Sequence, residues 1–179
     1  MVSSESYVEL VKSGYSRANQ DGSRPYPVAC YEIFMLYQSQ ERAKRQEVGL
    51  FEQLSTIFDW DLSRKRRSAY TKKLTTGSTL VLTDLTKTIL WTSQSFLSMT
   101  GFTRAESIGQ TPAFLQGPLT DRAALLTVRN SLRRADPVRA ELLNYRKNGE
   151  TYLCQVAIDP LYNNQGELTH YLAVENEIK

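Results

Sequence analysis

Near the end of the chain, Asn148-Gly149 joins two runs of alternating polar and apolar residues, and no other feature constrains the fold as much. The runs, Val138 to Arg146 and Thr151 to Ile158, have a side-chain period of two, and an Asn-Gly pair between such runs signals a tight antiparallel hairpin. A third run, Leu168 to Asn176, follows the turn-forming stretch Asn163-Asn164-Gln165-Gly166. Upstream, the short β-branched runs Thr79 to Thr83 and Thr88 to Trp91 are separated by Asp84-Leu85-Thr86-Lys87, which suits another hairpin. Between the two groups, Ser93 to Met99, Gly101-Phe102 and Arg104 to Ile108 fit short helical turns punctuated by glycine. Thr120 or Asp121 can cap a helix through Leu125, Val128, Arg129 and Leu132, which Pro137 stops. This order predicts an α+β domain in which a five-stranded antiparallel sheet carries helices on one face.

The segment before Thr79 follows a different period. Residues 1 to 24 are polar and read as a short helix or irregular lead-in, closed by Pro25 and Pro27. From Val28 a helical pattern places Ile33, Leu36, Ala43, Leu50, Leu54 and Ile57 on one face, with Leu36, Ala43, Leu50 and Ile57 seven residues apart. A long amphipathic helix ending near Phe58 and Trp60 is expected. Gly49, which costs about 1 kcal/mol relative to alanine, marks where it could break in two. With 179 residues, the chain accommodates one packed core and an appendage. The expected division is residues 1–74 as a helical cap or dimerisation extension and residues 75–179 as the sheet domain.

Composition excludes several classes. No run approaches the roughly 18 apolar residues of a membrane span, and Met1 to Gln20 lacks the apolar centre of a secretory signal, so a cytoplasmic protein without membrane contact is expected. The two cysteines, Cys30 and Cys154, lie far apart, and the single His170 leaves no second imidazole for a metal site. The net charge of +3 is too small to name a partner. The basic run Arg64-Lys65-Arg66-Arg67 with Lys72-Lys73 reads as a solvated connector rather than a nucleic-acid contact. No Ser/His/Asp set, glycine-rich phosphate loop or paired carboxylate motif indicates an enzyme.

Three stretches carry a family resemblance: Phe96-Leu97-Ser98-Met99-Thr100-Gly101-Phe102; Gly109-Gln110-Thr111-Pro112-Ala113-Phe114-Leu115-Gln116-Gly117-Pro118 with Thr120-Asp121-Arg122; and Leu142-Leu143-Asn144-Tyr145-Arg146-Lys147-Asn148-Gly149. They resemble the light-oxygen-voltage (LOV) branch of the PAS sensor family over Gly77 to Lys179; nothing comparable identifies residues 1–74. The resemblance implies the PAS fold. It also implies that Gln116 and Asn144 match residues that meet a flavin, and that Arg129 matches an arginine pairing with its phosphate. Pro112 stands where the family has its photoactive cysteine. Because proline carries neither a thiol nor a backbone N–H, the adduct-forming photochemistry is absent on this reading. Further departures are Gln110 for an arginine, Thr111 for an asparagine, Ala113 for a second phosphate-binding arginine, Cys154 for an asparagine at the pyrimidine edge, and Glu175 for the glutamine that reorients during signalling. Hydrogen bonds to charged groups contribute about 1.5–3 kcal/mol each. Their loss argues against tight FMN binding, so the leading expectation is no bound cofactor, with FMN as the alternative.

Strand periodicity adds an independent clue. Leu142 and Asn144 share a face, as do Tyr152, Cys154, Val156 and Ile158, and as do Tyr171, Ala173 and Glu175. If these faces point inward, the Glu175 carboxylate needs Asn144, Gln116, Thr111, a trapped water or a small polar ligand as partner; the alternative places it at the sheet end in solvent. Thr111 and Pro112 complete the candidate cavity wall. Cys154 reads as a small core residue, His170 as a surface strand residue, and Glu106 with Lys147 as a bridge between loops. Leu143, Tyr145, Leu153 and Leu172 on the outer sheet face read as a contact surface. Together these features predict a PAS sensory or protein-interaction module of a signalling system, of bacterial type, that either binds a small ligand weakly in its cavity or transmits contacts without one. The alternative is a cysteine-less flavin sensor of blue light or redox state that signals by photoreduction, with Trp91 as a nearby electron donor. The expected partners are a second copy, through the Val28 to Phe58 helices, and an unidentified signalling protein. No effector signature follows the last strand, so output is expected to pass to another molecule.

Overall fold

The computed structural model of the protein describes residues 28–178, with backbone alone for residues 28–31. The expectation for residues 1–24 and the side chain of Cys30 fall outside the described residues. Helix α1 (Val28–Ile57) leads into α2 (Arg64–Thr75), then β1 (Thr79–Thr83), β2 (Ile89–Thr92), α3 (Ser95–Thr100) and α4 (Arg104–Ser107). A 3₁₀ turn (Pro112–Leu115), α5 (Arg122–Arg133), β3 (Val138–Tyr145), β4 (Thr151–Tyr162) and β5 (Leu168–Ile178) complete the order. The chain divides into two compact units, the second beginning at Glu47.

The strands form the expected antiparallel sheet, in the order β2-β1-β5-β4-β3. In the β3–β4 hairpin, Tyr145 pairs with Thr151, and Arg146 N–H donates to the Glu150 carbonyl at 2.8 Å. Gly149 has φ +87° and its N–H donates to the Arg146 carbonyl, so the connection is a three-residue loop ending on a left-handed glycine. The last two strands run longer than the sequence pattern suggests because β4 and β5 stay paired down to Tyr162 and Leu168.

Helix α1 is unbroken, against the expectation that Gly49 could divide it. On either side of that glycine, Val48, Phe51 and Leu54 pack against the sheet, and this burial outweighs the weak helix propensity of one residue. The buried face also differs from the expected stripe: Phe51 is fully buried, whereas Leu36, Leu50 and Ile57 are 63%, 40% and 72% exposed. The basic run was expected to be a connector. It instead opens α2, where Ser63 caps the N-terminus by accepting from Arg66 N–H.

Two apolar layers sandwich the sheet. On the outer face, Phe51, Tyr70 and Leu74 from the N-terminal helices, with Trp60 and Leu62 from the link between them, cover Leu80, Leu82, Trp91, Leu161, Leu172 and Val174. Leu172, expected at an open contact surface, is therefore fully buried beneath the chain's own helices. Trp91 lies in this same layer, on the opposite sheet face from the inner core. His170 is also buried rather than at the surface: Trp60 Nε1–H donates to its Nδ1 at 3.1 Å and the Phe58 ring packs 4.1 Å from its own. Burial lowers its pKa, which keeps the imidazole neutral and able to accept. Glu47 ties α1 to the opposite side by accepting from Gln94 N–H at 2.8 Å and pairing with Arg104. On the inner face, Val81, Ile89, Phe96, Leu115, Leu142, Val156 and Ala173 form a second core beneath the short helices.

Candidate functional site

The inner core does not close completely. A cavity of about 220 Å³ remains between the sheet, the 3₁₀ turn and α5. All seven residues singled out in the sequence line it: Thr111, Pro112, Gln116, Arg129, Asn144, Cys154 and Glu175. Local structure explains how they arrive there. Pro112 opens the 3₁₀ turn, a position where a missing backbone N–H costs nothing. Gln116 ends that turn, with its N–H donating to the Ala113 carbonyl at 3.0 Å. Asp121 caps α5 by accepting from Ala123 N–H at 2.8 Å, which sets the helix that carries Leu125, Val128 and Arg129 over the sheet.

The segment between the turn and α5 is fixed onto β3. Thr120 Oγ1 donates to the Leu143 carbonyl at 2.6 Å and accepts from Gly117 N–H at 3.0 Å. Tyr145 Oη accepts from Leu119 N–H at 3.1 Å, and its ring lies so close to Gly117 that a Cβ there would overlap it. The glycine of the Gln116-Gly117-Pro118 stretch is thus required by close approach. Farther round, Lys147 pairs with Glu106, as expected, and Glu106 also accepts from Thr103. The Lys147 hydrogen bond, followed by the Thr103 contacts, holds the Glu106 carboxyl down to about 2. This bridge is exposed and fixes loop geometry more than it adds stability.

The cavity is polar at its ends and apolar along its walls. At one end Glu175 is only 6% exposed, and its Oε2 is buried without a hydrogen-bond partner among the described residues. Burial pushes its pKa up to about 7. Asn144, Gln116 and Thr111 line the same cavity, yet none of them donates to that oxygen. The expectation of solvent at the sheet end is thereby corrected. Cys154 is fully buried; burial, then the nearby Glu175 charge, pushes its thiol pKa far above the ordinary value. It is therefore no nucleophile at neutral pH. The Tyr152 hydroxyl is likewise buried and pushed up, chiefly by burial and then by Glu175; Asn144 lies near enough to oppose this without forming a well-directed hydrogen bond.

The other end carries positive charge. Lys87, in the β1–β2 turn at φ +70°, lines the cavity and places its Nζ 5.5 Å over the Tyr171 ring. Tyr171 Oη donates to the Leu132 carbonyl at 2.7 Å, one turn along α5 from Arg129. Tyr171 and Glu175 share the inward face of β5 four residues apart, which at about 3.3 Å per residue separates them by about 13 Å. Sequence reading missed Lys87 because its place in a polar turn resembled any other connector. In the fold its Nζ also donates to the Leu85 carbonyl of the same turn at 2.8 Å.

Among the described residues, no group of three or more His, Cys, Asp or Glu side chains could hold a metal ion, and no helix is long and apolar enough to cross a membrane. Residues 77–179, more than half of the chain, match the family model of the PAS domain. The nitrogen fixation regulatory protein of Klebsiella oxytoca is 35% identical over 97 residues, which is 54% of this chain and 20% of that protein. The chain thus spans about a fifth of that relative's length. Among solved structures, a LOV domain studied with a flavin analogue aligns at TM-score 0.58 and 36% identity, covering 62% of this chain and 85% of that one. The light-state dimer of the fungal blue-light photoreceptor Vivid aligns at TM-score 0.55 and 28% identity, covering 57% and 78%.

Proposed function

Because this chain belongs to the PAS domain family, we propose that it is a sensory module of a signalling system, taking a small ligand in the inner cavity and signalling without a cysteine–flavin adduct. The observation that carries this reading is the cavity wall. Pro112 occupies it where the LOV resemblance has a reactive thiol, and the cavity's own thiol, Cys154, is held neutral by burial beside Glu175. A buried carboxylate oxygen without a partner supports occupancy, since leaving such a group unpaired is costly and a ligand can satisfy it. In this reading residues 1–74 form the cap and dimerisation extension and residues 75–179 the sensing domain. Output leaves through the helices that cover the outer sheet face, because ligand contacts and helix contacts share β5 from opposite sides.

A second reading, a cysteine-less flavin sensor working by photoreduction, is favoured by the likeness to LOV structures and by Gln116, Asn144 and Arg129 lining the cavity. Trp91, on the far sheet face, is not a cavity-side electron donor. One experiment separates the two. The purified chain is passed through gel filtration, its absorption spectrum recorded, and anything released on denaturation identified by mass spectrometry. The first reading expects a released small molecule without flavin absorption. A retained flavin that bleaches under blue light with reductant would establish the second.

A further inference from the structure

The chemistry of the cavity's two ends selects among small ligands. An ionised carboxylate is an acceptor only, and Glu175 presents Oε2 with no donor to meet it among the described residues. The residues nearest in charge and chemistry, Tyr152 and Cys154, do not supply a cation. Lys87, whose Nζ lies over the Tyr171 ring and donates to the Leu85 carbonyl at 2.8 Å, and Arg129 on α5 are donors only, and both border the cavity. Between these ends the floor is a sheet face with small side chains at Cys154 and Ala173, and the roof is apolar, from Pro112, Leu115 and Val128 among others. The volume of about 220 Å³ lies below the roughly 300–1,000 Å³ of sites that take drug-sized ligands.

Resting on the reading of this cavity as a ligand site, we infer that it takes a small flat heterocycle of one or two rings, with an amidine- or guanidine-type N–H edge against Glu175 and an acidic group toward Lys87 and Arg129. A carboxylate meets two parallel N–H groups with a matched pair of hydrogen bonds, the geometry that makes such contacts strong. A dioxo ring edge offers a single N–H flanked by carbonyl oxygens, so the second contact sets acceptor against acceptor and is repelled while Glu175 is ionised. The match therefore discriminates between two ligands of one shape that differ by a single amino-for-oxo exchange.

Pterin-6-carboxylate and lumazine-6-carboxylate are such a pair, with a 2-amino and a 2-oxo group respectively. Their binding to the full chain at pH 8 is measured by calorimetry and by the quenching of ligand fluorescence. Pterin-6-carboxylate is expected to bind roughly tenfold or more tightly than the dioxo analogue, the scale of one hydrogen bond to a charged group. Glu175→Gln replaces an acceptor pair with one donor and one acceptor and is expected to erase or reverse the preference. Equal or tighter binding of lumazine-6-carboxylate to the unmodified chain overturns the inference, whatever the variant does. So does binding of neither compound. In both cases the broader reading stands if mass spectrometry finds a small molecule other than flavin, and falls if a flavin or nothing is released.

Discussion

Glu175 concentrates the energetic question at the scale of single residues. Burial lifts its pKa to about 7, from an ordinary value near 4.5, and a raised carboxylate pKa means that folding is favoured by the protonated form. Its contribution is fully present below the unfolded-state value, falls as pH rises through the interval, and levels off above the folded value. The whole interval corresponds to about 3 kcal/mol. Tyr152 and Cys154, which face it, stay neutral throughout because their own pKa values are pushed upward. Lys87 and Arg129 lie at the other end of the cavity. Glu175→Gln should therefore gain on the unmodified chain by about 3 kcal/mol between pH 4 and pH 8, measured by urea unfolding at each pH. A stability difference that stays flat with pH would mean that the carboxylate already has a partner.

At the scale of elements, the joining of the N-terminal helices to the sheet decides what is core. Phe51 is fully buried and packs on Trp60 at 6.1 Å and Tyr70 at 5.9 Å between ring centres. Tyr70 reaches on to the sheet by donating to Asp159 Oδ2 at 2.6 Å, and receives a hydrogen bond from Arg66. Burial and the Asp159 contact push its pKa up to about 12. Phe51→Ala should cost about 3–5 kcal/mol, as for other buried aromatics. Thermal and urea unfolding check this, and a loss within the ±0.5 kcal/mol typical of surface positions would mean that the helix is not part of the domain core. The strand pattern was legible in advance because β3 keeps an alternating face, with Val138, Leu142 and Asn144 buried. β5 hides its alternation, since both of its faces are covered, and His170 and Leu172 were misplaced for that reason. Helix α2 was illegible because half of its residues are charged and only Tyr70 and Leu74 are buried.

At the scale of the whole molecule, the exposed heptad positions Leu36, Leu50 and Ile57 remain after the sheet has been covered from within. Apolar side chains at seven-residue spacing suit a helix–helix seam, and we propose that a second copy covers them. Multi-angle light scattering should then find a dimer, and Leu50→Glu with Ile57→Glu should give a monomer whose melting temperature is little changed. A monomeric unmodified chain at high concentration would dismiss the dimer. The Vivid structure gives a dimeric example of a related fold, while the surface invoked here belongs to helix α1 of this chain.

Local periodicity and turn chemistry, which act over a few residues, determined the strand order along the chain, the Asn148-Gly149 hairpin and the residues with an inward side-chain period. The motifs also assembled the cavity wall, because Thr111, Pro112, Gln116 and Asn144 sit in segments whose local geometry dictates where they point. Tertiary structure alone decided which helix face is buried, that the outer sheet face is closed by the chain itself, and that Lys87 joins the cavity. It also decided that Glu175 Oε2 is buried without a hydrogen-bond partner among the described residues. Burial and pairing depend on which distant segments meet, and a one-dimensional pattern records that a side chain seeks cover without recording what covers it.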